Sequence, residues 1–214
     1  MPSTRCALVV LISGSGSNLQ AIIDAQKNPD FPAEISAVIS NKTGVKGLER
    51  ASKAGIATEI VSHRDYPNRE IYDAELARVI DRYNPCLVIL AGFMRILTDD
   101  FVNRYAGRML NIHPSLLPKY KGLNTHQQAI DAGDREHGAT VHFVTPDLDS
   151  GPLIIQARVA VLEDDTADAL AARVLEKEHI IYPRAISQVA SGHVTLANEV
   201  VSLNGEPLSG PQQL

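Results

Sequence analysis

Apolar residues cluster in short runs along the first half of the chain, at 7–12, 35–39, 57–61 and 87–91. Each run is too short for a buried helix and reads as a buried strand. Between them, residues 18–26, 47–54 and 69–83 space their apolar positions as helices do. Strand alternating with helix at this interval implies right-handed crossovers. It predicts an α/β, Rossmann-like fold: a mainly parallel, twisted sheet with helices on both faces. Such sheets bind ligands in the crevice beyond the carboxyl ends of their strands. Segments 13–18, 92–97 and 111–122 all follow expected strand ends and form one candidate rim.

The pattern changes in the second half. Residues 141–145 and 153–161 read as strands joined through the polar turn 146–151. Asp165 or Thr166 is a suitable N-cap for a long helix running through Ala172, Val174, Leu175 and Ile180. From Gly192 the pattern alternates weakly, and 205–214 is polar and carries Gly and Pro, so fraying is expected there. No repeat or linker interrupts residues 1–214, which reads as a single domain.

Composition narrows the field. The 214 residues are 44% hydrophobic, enough for a sizeable core, and the net charge of −5 argues against a nucleic-acid binder with a general basic surface. Cys6 and Cys86 lie in apolar runs and are expected to be buried free thiols. No Cys/His spacing suggests zinc, and the first apolar run is too short for a signal peptide or membrane span. A cytoplasmic protein with small-molecule partners, no metal and no membrane association is expected, either monomeric or a homodimer.

Two stretches carry candidate chemistry. Ser13-Gly-Ser-Gly-Ser-Asn18 joins the first strand to the first helix. Glycines allow close backbone approach, and a helix start presents free N–H groups that suit a phosphate. The full dinucleotide fingerprint is missing, since Leu19 stands where a third glycine belongs, and so is the P-loop ending. A tight turn without any ligand explains this loop equally well. In Asn111-Ile-His-Pro-Ser-Leu-Leu-Pro118, Asn111 and His113 alternate in an extended segment and share a face. An amide donor beside an imidazole suits a tetrahedral oxyanion. Asp149, in the 145–152 loop, could fold back to orient that imidazole. On residue types alone, His113 is as readily a structural histidine, and Asp149 a residue capping its own turn. Met94, Ile96 and Leu97, on residue types alone, read more readily as core, and Arg69, Arg95 and Glu178 as ordinary surface charges.

These motifs together resemble the phosphoribosylglycinamide formyltransferases. The resemblance runs through 11–20, 90–97, 111–118, 136–138, 141–145, 148–152 and 178–183, nearly the whole chain. It implies a folate-dependent transfer of a formyl group from 10-formyltetrahydrofolate to the amine of a phosphoribosyl glycinamide. By the same resemblance Asn111, His113 and Asp149 are the catalytic trio. Gly16, Ser17, Asn18 and Glu178 would contact the phosphoribosyl glycinamide. Arg69, Met94, Arg95, Ile96, Leu97 and Asn111 would contact folate, with Thr145, Pro146, Asp147, Leu148 and Asp149. Asn124 departs from the pattern, since bacterial members often carry histidine there, which leaves fine substrate contacts open. His126, His137, His142 and His179 are read as structural or supporting. A methionyl-tRNA formyltransferase would be expected to bring a further domain and a basic surface, and a formyltetrahydrofolate hydrolase a regulatory domain. A non-catalytic folate- or nucleotide-binding module would not need the trio.

Overall fold

In β1 (Cys6–Ile12), Leu8, Val10 and Ile12 enter one apolar cluster while Val9 and Leu11 enter another. Successive strand side chains point to opposite faces, so an unbroken apolar run requires cover on both. The computed structural model describes residues 5–214 and supplies that cover. After β1 come α1 (Ser17–Ala25), β2 (Ala33–Ser40), α2 (Lys46–Lys53), β3 (Ala57–Ile60), α3 (Arg69–Asp81) and β4 (Leu87–Leu90). Then follow α4 (Asp99–Arg104), β5 (Met109–His113), α5 (Thr125–Asp131), β6 (Glu136–Phe143), β7 (Leu153–Ala160) and α6 (Ala167–Ala190). A small antiparallel sheet, β8 (Val194–Ala197), β9 (Val200–Leu203) and β10 (Glu206–Pro207), precedes β11 (Gln212–Gln213).

The main sheet runs β11-β7-β6-β5-β4-β1-β2-β3. Strands β3, β2, β1, β4 and β5 are parallel, while β6 is antiparallel to β5 and β7 to β6. The expected Rossmann-like α/β architecture is therefore present. Helices α1, α2, α5 and α6 contribute to the cluster on one face, and α3 and α4 to the other. The order reverses between β1 and β4, and their carboxyl ends open the crevice where such folds take ligands. The longest helix, α6, is capped by Thr166, whose side chain accepts from the Ala169 N–H. Asp165 instead clamps Arg173 and accepts from the Leu162 N–H. Deep in α6, the Tyr182 hydroxyl donates to the carbonyls of Leu90 and Leu110, anchoring the helix across β4 and β5.

Some expectations fail. The 57–61 run is not a buried strand: β3 lies at the sheet edge and Ile60 is 48% exposed. Cys86 is exposed because it precedes β4 instead of lying in it, whereas Cys6 is buried and its thiol is pushed up to about 12, mainly by burial. Residues 205–214 do not fray. Gln212 and Gln213 add to the edge of β7, the Leu214 N–H donates to the Gln156 carbonyl, and the Gln212 and Gln188 amides pair. No helix among the described residues is long and apolar enough to cross a membrane.

Candidate active site

Three chain segments meet at the β1/β4 crevice. The Ser13 N–H donates to the Gly92 carbonyl, and the Ser13 hydroxyl donates to Asn41 while accepting from the Met94 N–H. Gly16 caps α1 in the left-handed region, φ 68°, and a side chain there would come within 2.6 Å of the Gly47 backbone. Gly16 is thus demanded by the fold itself, whereas Gly14 faces open space. No side chain caps α1, so its first N–H groups stay available to an anion. Ser17 opens the helix, and Asn18, one residue on, is buried. The Asn18 amide donates to Glu178 across 2.6 Å, while its oxygen is buried without a protein partner. Burial pushes the Glu178 carboxyl upward, against the opposing pull of the Asn18 bond. Glu178 reaches this position because α6 crosses the sheet one turn before the Tyr182 anchor.

The Asn111/His113 pair ends β5, next to β4. Both ring nitrogens of His113 face oxygen: Nε2 lies 2.8 Å from the Tyr120 carbonyl and Nδ1 3.4 Å from Asp149 Oδ2. The same Asp149 oxygen accepts from the Gly122 N–H at 2.9 Å, and Lys121 donates to Ser150 beside it. These bonds tie the loop after β5 to the loop between β6 and β7. Asp149 holds φ 47°, a left-handed conformation unusual outside glycine and tolerated mainly by Asn and Asp. Its side chain is only 8% exposed, so its charge meets the imidazole with little water between. The Asn111 amide nitrogen lies 3.2 Å from His142 Nε2, and that nitrogen lies 3.8 Å from Asp149 Oδ1. The sequence marked His142 only as a structural or supporting histidine, because only the antiparallel β5–β6 register sets it opposite Asn111. Asn124 takes φ 58° at the start of α5, a backbone role that asparagine fills readily.

The remaining expected residues divide. Met94 and Ile96 are exposed at 63% and 62%, although Leu97 between the same strand end and α4 joins the core. Leu148 is exposed in the Asp149 loop, with Pro146 and Asp147 beside it. Thr145 is half-buried at the start of that loop. Arg95 leans over the Tyr72 ring, its guanidinium carbon 5.4 Å from the ring centre, and its Nε is buried without a partner. Arg69 stands exposed at the start of α3, near the buried Asp73. Among the described residues, Arg69 is linked to the trio by no hydrogen bond or ion pair. It shares with Arg95 only the neighbourhood of Asp73, which accepts the Thr98 N–H that opens α4. Among the described residues, no group of three or more His, Cys, Asp or Glu could hold a metal ion.

A Formyl transferase family model matches residues 6–186. The phosphoribosylglycinamide formyltransferase of Escherichia coli is 55% identical over 94% of this chain and 95% of its own length. The trifunctional purine biosynthetic protein adenosine-3 of Drosophila melanogaster is 48% identical over 92% of this chain, which spans only 15% of that protein. Among solved structures, phosphoribosylglycinamide formyltransferase of Coxiella burnetii in complex with CHES superposes with a TM-score of 0.94. It is 50% identical, with 98% of this chain and 99% of that chain covered.

Proposed function

The chain belongs to the phosphoribosylglycinamide formyltransferases, and from that premise we propose that Asn111, His113 and Asp149 carry its formyl transfer. The reaction moves the formyl group of 10-formyltetrahydrofolate to the amine of N1-(5-phospho-D-ribosyl)glycinamide, in purine biosynthesis. The observation that carries the assignment is the shielded Asp149 carboxylate 3.4 Å from His113, at the same strand end that presents Asn111.

In this reading the free amine attacks the formyl carbon, and the carbonyl oxygen becomes an oxyanion. An Asn111 N–H donates to it, the His113 imidazolium stabilises it through its positive charge, and Asp149 orients the ring. The amine then loses a proton, the folate nitrogen gains one, and the bond between that nitrogen and the formyl carbon breaks. The products are the N-formyl glycinamide and tetrahydrofolate. The substrate phosphate lies on the free N–H groups at Gly16, Ser17 and Asn18, with Glu178 and Asn18 facing the glycinamide. Folate takes the side bounded by Met94, Arg95, Ile96 and Leu97, with the loop 145–149 over it and Arg69 at its outer edge. Nothing in these steps asks for a metal. The enzyme would work in the cytoplasm on small molecules.

An absorbance assay for the folate product tests the reading. Product should form only when the phosphoribosyl glycinamide is present, and Asp149→Asn should lower turnover about 10²–10⁴-fold, the usual scale for positioned acid–base help. Adding His113→Ala to that variant should cost far less than the product of the two single losses, because the pair acts as a unit. Folate product released equally without the acceptor, or fully multiplicative losses in folded variants, would falsify it.

A further inference from the structure

His142 stands on β6 directly across from Asn111 on β5, and β6 breaks register with β7 between Val141 and His142. Irregularities of this kind re-aim side chains next to functional sites. The partners of the ring then decide its form. Nδ1 lies 2.8 Å from the Phe143 carbonyl, which can only accept, so Nδ1 carries the proton. A neutral ring of that tautomer keeps a lone pair at Nε2. The Asn111 nitrogen, 3.2 Å away, can only donate, so the amide rotation is set, and one of its two N–H bonds is spent on His142. The other is left for the reacting oxygen.

Charge leads to the same arrangement. Asp149 faces two imidazoles, with Oδ2 3.4 Å from His113 and Oδ1 3.8 Å from His142. Burial pushes His142 toward its neutral form, against the Phe143 carbonyl and Asp149, and the nearby His113 reinforces the fall. The groups facing His142 are Asn111 and His113 from β5, Asp149 from the loop before β7, and the Phe143 carbonyl of its own strand. A cationic His142 would turn away the Asn111 N–H and draw on the carboxylate that His113 uses.

We propose that His142 is a positioning residue for the formyl transfer. Its neutral Nδ1–H form accepts from Asn111, aims the remaining amide N–H at the formyl oxygen, and leaves the Asp149 charge to His113. The inference rests on the role assigned above to Asn111.

Four variants and one measurement on the unaltered protein test it. His142→Leu should lower kcat about 10–100-fold, as misplaced catalytic groups do, with KM for both substrates little changed. His142→Gln should recover most of the loss, since its side-chain oxygen can accept from Asn111. In an Asn111→Ala background, His142→Leu should add almost nothing. Nitrogen-15 NMR of the histidine rings in the unaltered protein should show His142 as the neutral Nδ1–H tautomer across neutral pH. An Nε2–H tautomer or a ring that becomes cationic near neutrality overturns the proposal, even if the leucine variant does not fold. Full turnover in a folded His142→Leu protein, or losses that multiply with Asn111→Ala, overturn it as well. Wild-type turnover in Asn111→Ala alone would instead remove the assigned role of Asn111, and this inference with it.

Discussion

Glu178 is a carboxylate held where water scarcely reaches, 7% exposed and bonded to one amide. Its carboxyl is raised above the ordinary 4.5 because burial penalises the anion more than the Asn18 N–H favours it. Below that ordinary value the residue is neutral in folded and unfolded chains alike, and its contribution to stability is fully present. As pH rises the unfolded chain ionises first, so that contribution falls and is lost as pH passes the raised folded value. Glu178→Gln removes this dependence while keeping an oxygen to accept from Asn18. Relative to the unaltered protein, its melting temperature should climb over the range above the ordinary 4.5. A difference between the two proteins that stays flat over that range would show that Glu178 ionises freely. The sequence offers Glu178 as one more helix glutamate. What sets it apart is Asn18, 160 positions away in the chain, and no local pattern reports that partner. Gly16 has the reverse history. Its place in a glycine loop suggested ligand contact, yet its φ and its approach to Gly47 are reason enough for a glycine.

Among the elements, α6 was the most legible. Its 24 residues repeat an apolar face over many turns and follow a capping residue, so both its existence and its start can be read directly. Structure chose between the two candidate caps, because Arg173 engages Asp165 and leaves the cap to Thr166. Thr166→Ala should therefore lower unfolding free energy by about 1 kcal/mol in denaturant titration. The cap lies three turns from Glu178, so kcat should be unchanged below the melting transition. No measurable loss would place the cap on another group. The helices α4 and α5, of 6 and 7 residues, are too short to show a period and went unread. Strand β3 was legible as a strand but not as exposed, because edge position depends on sheet order.

At the scale of the whole molecule, the tail shows how tertiary pairing overrules composition. Residues 205–214 look like a fraying end, yet β11 completes the sheet beside β7. Deleting residues 211–214 should strip that strand and expose the β7 edge, an invitation to aggregation. A loss of about 1 kcal/mol would lower the melting temperature by about 2–4 °C in a domain of this size, with little change in turnover. An unchanged melting curve would mean that the strand contributes nothing. The sequence alone determined the alternating α/β plan, the rim of segments after β1, β4 and β5, and the identity of the motif residues. Those are local properties: apolar runs, glycine at a helix start, and Asn111 and His113 two apart on one strand face. Tertiary structure decided that β6 turns antiparallel and sets His142 against Asn111. It also brought the Asp149 loop back onto His113 and laid α6 so that Glu178 meets Asn18. The physical reason is that burial and pairing across long chain separations depend on which strand neighbours which. Side-chain periodicity names the faces of an element, but only the packed sheet chooses the partners that those faces meet.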